Sequence, residues 1–180
     1  MDPFQLLKLP RRPVLSAEEI GSAYRRLAAT LHPDQAEGDE GRFKELGEAS
    51  AILRDPARRL RSLVARPPGS AIPPEAADLF PRVAALTHEA DDLTARHATA
   101  SNALAKAVLA APLKKLSADL DALLETVGTW RSGLDARLAM LDAAWPAHDP
   151  GEVASLADSF SYAGRWESQL RERKLALECL

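Results

Sequence analysis

From Leu116 to Trp145 an apolar side chain recurs every three or four residues: Leu116, Leu120, Leu123, Val127, Trp130, Leu134, Leu138, Leu141 and Trp145. That spacing keeps one face of an α-helix apolar for about nine turns, and such a face has to be covered by other elements. Two more stretches carry the same pattern. Residues 75–111 place Leu79, Val83, Leu86, Ala90, Leu93, His97, Ala100 and Leu104 on one stripe, with a weak point at Thr99-Ala100-Ser101-Asn102. Beyond Pro146, Asp149-Pro150-Gly151-Glu152 is a capping box with proline at the first helical position, followed by Val153, Leu156, Phe160, Ala163, Trp166, Leu170 and Leu177. Helices over about 75–111 and 113–145 and a last amphipathic helix from the Asp149 box through Leu177 therefore bury their stripes against one another as an antiparallel bundle. Aromatic residues make up only 5%, and Val, Ile and Thr never alternate as they would in strands, so the fold class is all-α.

The segment Arg66-Pro67-Pro68-Gly69-Ser70-Ala71-Ile72-Pro73-Pro74 holds four prolines and a glycine, which cannot continue a helix. It divides the chain into residues 1–66, a linker over 67–74 and the bundle over 75–180. In the first part Phe4, Leu6, Leu7 and Leu9 mark a short helix closed by Pro10 and Pro13. Ser16-Ala17-Glu18-Glu19 is a capping box, so a helix begins at Ala17 and runs through Ile20, Ala23, Tyr24, Leu27, Ala28 and Leu31. Phe43, Leu46, Ala49, Ser50 and Leu53 make a second stripe, which stops at Asp55-Pro56. Asp55 can then cap a last short helix, Ala57 to Val64. The expectation is a helical hairpin packed by a small helix at each end.

Composition excludes several classes of function. Residues 1–66 are net +2 and residues 67–180 net −5, and no basic run with interleaved aromatics is present, so no nucleic-acid partner is expected. The single cysteine, Cys179, excludes an intramolecular disulfide and a cysteine-rich metal site. No apolar run approaches the ~20 residues that span a bilayer, and MDPFQLLKL lacks a basic segment ahead of a secretory apolar stretch; a cytoplasmic protein without a membrane partner is expected. There is no Gly-rich phosphate loop, nucleophile elbow or zinc-protease motif, so neither enzymatic activity nor a cofactor is predicted.

His32-Pro33-Asp34 interrupts the helical pattern directly after Leu31 and precedes the polar tract Ala36-Glu37-Gly38-Asp39-Glu40-Gly41. A proline removes a backbone donor and clashes with the preceding turn, so this tripeptide belongs to the loop of the hairpin. Taken alone it is a turn with a capping aspartate. In context it is more: it follows Ala23-Tyr24-Arg25-Arg26-Leu27-Ala28 and precedes Phe43-Lys44-Glu45-Leu46-Gly47-Glu48-Ala49 and Ile52-Leu53-Arg54-Asp55-Pro56-Ala57-Arg58-Arg59. With Asp2-Pro3-Phe4-Gln5-Leu6-Leu7 ahead of them, these motifs make residues 2–64 resemble a J domain, the module of DnaJ-type co-chaperones.

The resemblance implies that the loop makes no covalent bond of its own. It implies docking on a DnaK-type ATPase, with His32, Pro33 and Asp34 reaching the partner and accelerating its ATP hydrolysis. That is allosteric coupling, in which the loop binds one state of its partner better than the other. Tyr24, Arg25 and Arg26 are the second-helix residues to which it assigns docking; for an isolated arginine pair a solvated face would be the simpler account. Many J domains carry further Lys or Arg on this helix, where this chain has Gly21, Ser22 and Thr30, which implies weaker electrostatic steering.

No Gly/Phe-rich segment and no paired CxxC repeats follow, and a short J domain joined to a helical bundle is similar to the HscB-type co-chaperones. That likeness implies an iron–sulfur cluster scaffold protein as the partner held by the bundle. In such proteins the first bundle helix presents an apolar and acidic surface, which maps here to Leu79–Leu93 and singles out Leu86, Glu89 and Leu93; a core-plus-solvated-face account serves these three residues as well. Residues 94–112 look like extra length. Two other readings stay open: a J protein for an unrelated client, and a J-like structural protein without chaperone coupling. His88-Glu89-Ala90-Asp91-Asp92 is set aside as a metal site and His97 as a ligand, while bundle packing accounts for Trp130, Trp145 and Trp166. Stripes of this kind close within a monomer or across a homodimer.

Overall fold

A computed structural model describes residues 2–31, 39–64, 72–147 and 149–180, and among them the secondary structure is helical, with no strand. The helices are α1 (Pro3–Leu7), α2 (Ala17–Leu31), α3 (Glu40–Arg54), α4 (Pro56–Leu63), α5 (Pro74–Thr99), α6 (Ala103–Ala143) and α7 (Pro150–Glu178). They fall into two compact units. Met1–Ala71 and Leu134–Phe160 form the first, and Ile72–Gly133 and Ser161–Leu180 the second.

In the first unit the helix ends are set by side chains that satisfy otherwise orphaned backbone donors. Asp2 accepts from the Phe4 N–H at 3.0 Å and starts α1. The predicted box at α2 is reciprocal, with Glu19 N–H donating to Ser16 Oγ at 3.0 Å and Ser16 N–H to Glu19 at 2.7 Å. Those bonds, the Ser16 backbone N–H first and its hydroxyl second, hold the Glu19 carboxyl below its usual range. Asp39 accepts from Arg42 N–H at 3.0 Å at the head of α3, a cap not expected from the sequence. Asp55 accepts from Ala57 N–H at 2.8 Å and Arg58 N–H at 3.1 Å, so α4 follows α3 after a single residue with Pro56 at its first position.

Helices α1 and α2 pack on α3 and bury Phe4, Leu7, Ile20, Leu46, Leu53 and Leu60 completely or nearly so. Each such side chain contributes roughly 1.5–3 kcal/mol of transfer free energy. Arg59, only 5% exposed, lies among them. Its Nε donates to Pro13 O at 2.7 Å and its Nη1 to Leu53 O at 2.5 Å, which fastens the segment ahead of α2 to the end of α3 from within α4. Burial is the largest influence on this guanidinium and pushes its pKa down from the usual value.

Residues 134–160 belong to this unit by packing, although in sequence they lie beyond the linker. Asp142 near the end of α6 is the main tie. It forms a two-pronged pair with Arg12, one prong being Arg12 Nε to Oδ1 at 3.1 Å, and Oδ1 also accepts from Val14 N–H at 3.0 Å. The hydrogen bond from Arg12 is the chief reason that its carboxyl titrates below the usual range. Arg61 Nη2 reaches Asp158, a 7% exposed carboxylate, at 2.9 Å. Trp145 donates its indole N–H to Arg11 O at 2.7 Å. That bond corrects the expectation that Trp145 serves bundle packing: its polar edge is fixed by a backbone carbonyl of the first unit.

The second unit has the expected apolar seam. Ala76, Val83, Ala90 and Leu93 of α5, Leu109, Leu116, Leu120, Leu123 and Val127 of α6, and Trp166 and Leu170 of α7 form its core. Trp166 is the hub of an aromatic group, with ring centroids 5.8 Å from Trp130, 5.5 Å from Tyr162 and 6.5 Å from Phe80. The break between α5 and α6 falls at residues 100–102, the weak point of the stripe, rather than at Pro112. Asn102 explains the choice, because its Oδ1 accepts from Ala105 N–H at 2.8 Å and caps α6. Pro112 stays inside α6, where it removes one helical hydrogen bond without ending the helix.

Candidate functional site

The turn from α2 to α3 is the first place to look, because the sequence concentrates its least structural residues there. His32, Pro33 and Asp34 lie outside the described residues. The residues that flank the undescribed stretch are bonded to one another: Asp39 N–H donates to Leu31 O at 3.3 Å. Thr30, one turn back, donates its hydroxyl to Leu27 O at 2.8 Å and so turns inward on its own helix.

On α2 the predicted residues separate by face. Tyr24 is half-buried, whereas Arg25 and Arg26 are exposed. Arg25 makes one hydrogen bond, to Ser22 Oγ at 3.2 Å, and among the described residues no carboxylate lies within ion-pair distance of either guanidinium. Both cations thus stand exposed on the helix that leads toward the tripeptide, with no acidic partner among the described residues. A groove of about 460 Å³ runs beside that end, lined by Leu6, Lys8, Leu27, Thr30, Leu31, Arg42, Glu45 and Leu46. Its lining is apolar at Leu6, Leu27, Leu31 and Leu46 and carries charges of both signs, Lys8 and Arg42 against Glu45, with Arg42 also paired to Asp39 at 3.6 Å.

The first unit compares directly with known proteins. Residues 2–61 match the family model of the DnaJ domain. Residues 2–61 are a J domain. Over 62 residues the chain is 47% identical to the chaperone protein DnaJ of Chlamydia pneumoniae, a span that is 33% of this chain and 15% of that protein. It is 53% identical over 47 residues to the DnaJ of Deinococcus proteolyticus, again 15% of the relative. The chain thus shares with these chaperones a J domain and little of their remaining length. A solved structure is similar across the whole length: the chaperone HscB from Vibrio cholerae, at 18% identity, covers 96% of both chains with a TM-score of 0.59. At that identity the likeness is one of fold, an all-helical chain with a J domain at its N-terminus.

In the second unit the three residues picked on α5 do not act as one surface. Leu93 is 4% exposed and belongs to the core, so it is not available to a partner while that core is packed; Leu86 is half-buried against the same core, and Glu89 alone is exposed. The helical period explains the division: Leu86, Ala90 and Leu93 share the seam, and Glu89 sits off it. The large apolar residue that stands exposed on this helix is Phe80, 52% exposed, whose ring centroid lies 6.5 Å from that of Trp166. Sequence reasoning passed over it, although an aromatic beside Pro81 at an off-stripe position was the available signal. Asp91 pairs with Arg173 at 3.3 Å and Asp92 with Arg96 at 3.5 Å. Among the described residues no group of three or more His, Cys, Asp or Glu is placed to hold a metal ion, and no helix is long and apolar enough to cross a membrane.

Proposed function

We propose that this chain is a co-chaperone that stimulates ATP hydrolysis by a DnaK-type ATPase, has no catalytic activity of its own, and uses its second unit to hold a client. The observation that carries the reading is the pairing of a J domain over residues 2–61 with two exposed arginines, Arg25 and Arg26, which have no carboxylate partner among the described residues, on the helix leading into His32-Pro33-Asp34. Exposed cations contribute through long-range attraction, which raises the rate of encounter more than the affinity. Pro33 fixes the chain direction at the loop, and His32 and Asp34 supply the polar groups that distinguish the partner's states.

The test is single-turnover ATP hydrolysis by each DnaK-type protein of the same cell, with wild-type chain and with His32→Gln, both shown by circular dichroism to be folded. Acceleration by the wild type and its loss in the variant support the reading. No acceleration of any such ATPase leaves the J domain as a structural scaffold.

The narrower reading, delivery of an iron–sulfur scaffold protein, draws on the likeness of fold to HscB over 96% of the chain and on Phe80 standing exposed on α5. Here Phe80→Ser would weaken capture of a purified scaffold, while ATPase stimulation by the J domain alone stays unchanged. Equal capture by wild type and variant would point to another client surface.

A further inference from the structure

Three arginines of the first unit line one groove beside a glycine, and the lining includes no carboxylate. A groove of about 500 Å³ is lined by Leu15, Ala17, Ile20, Gly21, Arg25, Arg54, Pro56 and Arg59. A Cβ built on Gly21 would stand 3.4 Å from Arg25 Nη1 and 3.8 Å from Arg54 Nη2, so both guanidinium groups border the space above this bare stretch of helix. Arg59 closes the groove from α4. Its Nε and Nη1 are taken by the carbonyls of Pro13 and Leu53, which leaves Nη2 without a partner among the described residues.

The acidic groups nearest these cations make their hydrogen bonds to other donors, although Asp55 and Asp142 still favour the charged form of Arg59 through space. Asp55 caps Ala57 and Arg58, Glu19 is held by Ser16, and Asp142 is held by Arg12 and Val14. Arg12 and Arg61, by contrast, each have a carboxylate within ion-pair distance. Like charges brought together over an apolar floor repel one another, and that cost is relieved when an anion enters. Forked N–H donors match the oxygens of phosphate better than a single point charge does. Glycine at position 21 leaves the volume that a side chain would fill.

We propose that Arg25, Arg54 and Arg59 form an oxyanion pocket over Gly21 that takes a tetrahedral phosphate-class anion. The pocket is independent of the docking role proposed above, with which it shares only Arg25.

The experiment is a titration of the full-length, isotope-labelled chain with inorganic phosphate at constant ionic strength, followed by amide resonances. Saturable shifts centred on Gly21 and the α3–α4 junction are expected. Arg54→Ala, a change at an exposed helix end, should weaken binding about 10-fold, the loss of one charge-assisted interaction. Gly21→Leu should abolish it by occupying the space, with circular dichroism showing that the helices persist. Methyl phosphate in a second arm separates the sources: binding as tight as that of phosphate means that a phosphoryl group on a larger molecule is accepted, and binding of phosphate alone means a free ion. Shifts that never saturate, or that persist unchanged in Arg54→Ala, overturn the proposal.

Discussion

The two units are held together by different physics. In the second, the core is a seam of Leu, Val and Ala around Trp166, and its long-range ion pairs, Arg173 to Asp91 and Lys174 to Asp121, join partly or fully exposed side chains at the rim of that seam. In the first, an apolar core of similar kind is pinned by polar ties that reach far along the chain: Arg59 to Pro13 and Leu53, Arg12 to Asp142, Arg61 to Asp158 and Trp145 to Arg11. An apolar seam tolerates any side chain of the right volume, whereas a buried polar tie fails when one partner is removed. The first unit is therefore specified residue by residue, and the second by pattern.

The most severe test of the comparison is a cavity in the seam. Leu123 is fully buried in the second unit, and Leu123→Ala should cost about 3 kcal/mol. Amide hydrogen exchange should speed up in α5 and in the α6 segment 103–133 far more than in α3. If α3 loosened equally, the two units would not be separately stable. Next in size is Arg59→Met, which keeps much of the volume and leaves the Pro13 and Leu53 carbonyls without their donor. We expect a loss of about 2 kcal/mol, read by urea unfolding. A neutral result would mean that the buried cation acts only as filler, and the contrast between polar ties and apolar seam would lose its strongest member.

This contrast also explains what could be read from the sequence. The Ser16–Glu19 box, the Asp55 cap and the helical stripes were legible because each is decided within a few residues. So was the J domain, whose motifs are spaced by its own helices. The membership of residues 134–160 in the first unit was not, because it depends on contacts such as Arg12–Asp142 and Trp145–Arg11, between residues more than a hundred positions apart. Nor was the burial of Arg59, which reads in sequence as one more basic residue in Ala57-Arg58-Arg59. On α5 the stripe correctly announced a buried face, and for that reason Leu93 cannot be both core and docking surface.

A smaller effect, and one that depends on pH, is expected at Asp142. Its folded-state pKa lies below the ordinary value of about 3.9, so the stabilisation from its partners is complete above that value and is lost as the pH falls through the lowered one. Asp142→Asn should cost about 1 kcal/mol at pH 7 and progressively less below about pH 4, measured as the gap between urea midpoints of wild type and variant. A gap that stays constant with pH would assign the tie to neutral hydrogen bonding from Val14 N–H rather than to charge.

The smallest effect tests the second unit's indifference to polar detail. The Trp130 indole N–H is buried and has no partner among the described residues, although the ring lies 5.8 Å from Trp166 and lines a groove with Glu75, Asp78 and Glu125. A buried donor left unpaired costs roughly 1–3 kcal/mol, which is comparable to what the extra ring of tryptophan gains by packing. Trp130→Phe removes the donor and keeps an aromatic against Trp166, so the two changes offset and stability should move by less than about 1 kcal/mol. At Trp145, where the indole N–H is bonded to Arg11 O, the same substitution loses packing and leaves a carbonyl without its donor, with nothing in return. Trp145→Phe should therefore be the more damaging of the two, even though Trp145 makes no part of the apolar seam. Equal losses at the two positions would mean that ring volume alone decides the matter, and that the distinction between the two units does not extend to their tryptophans.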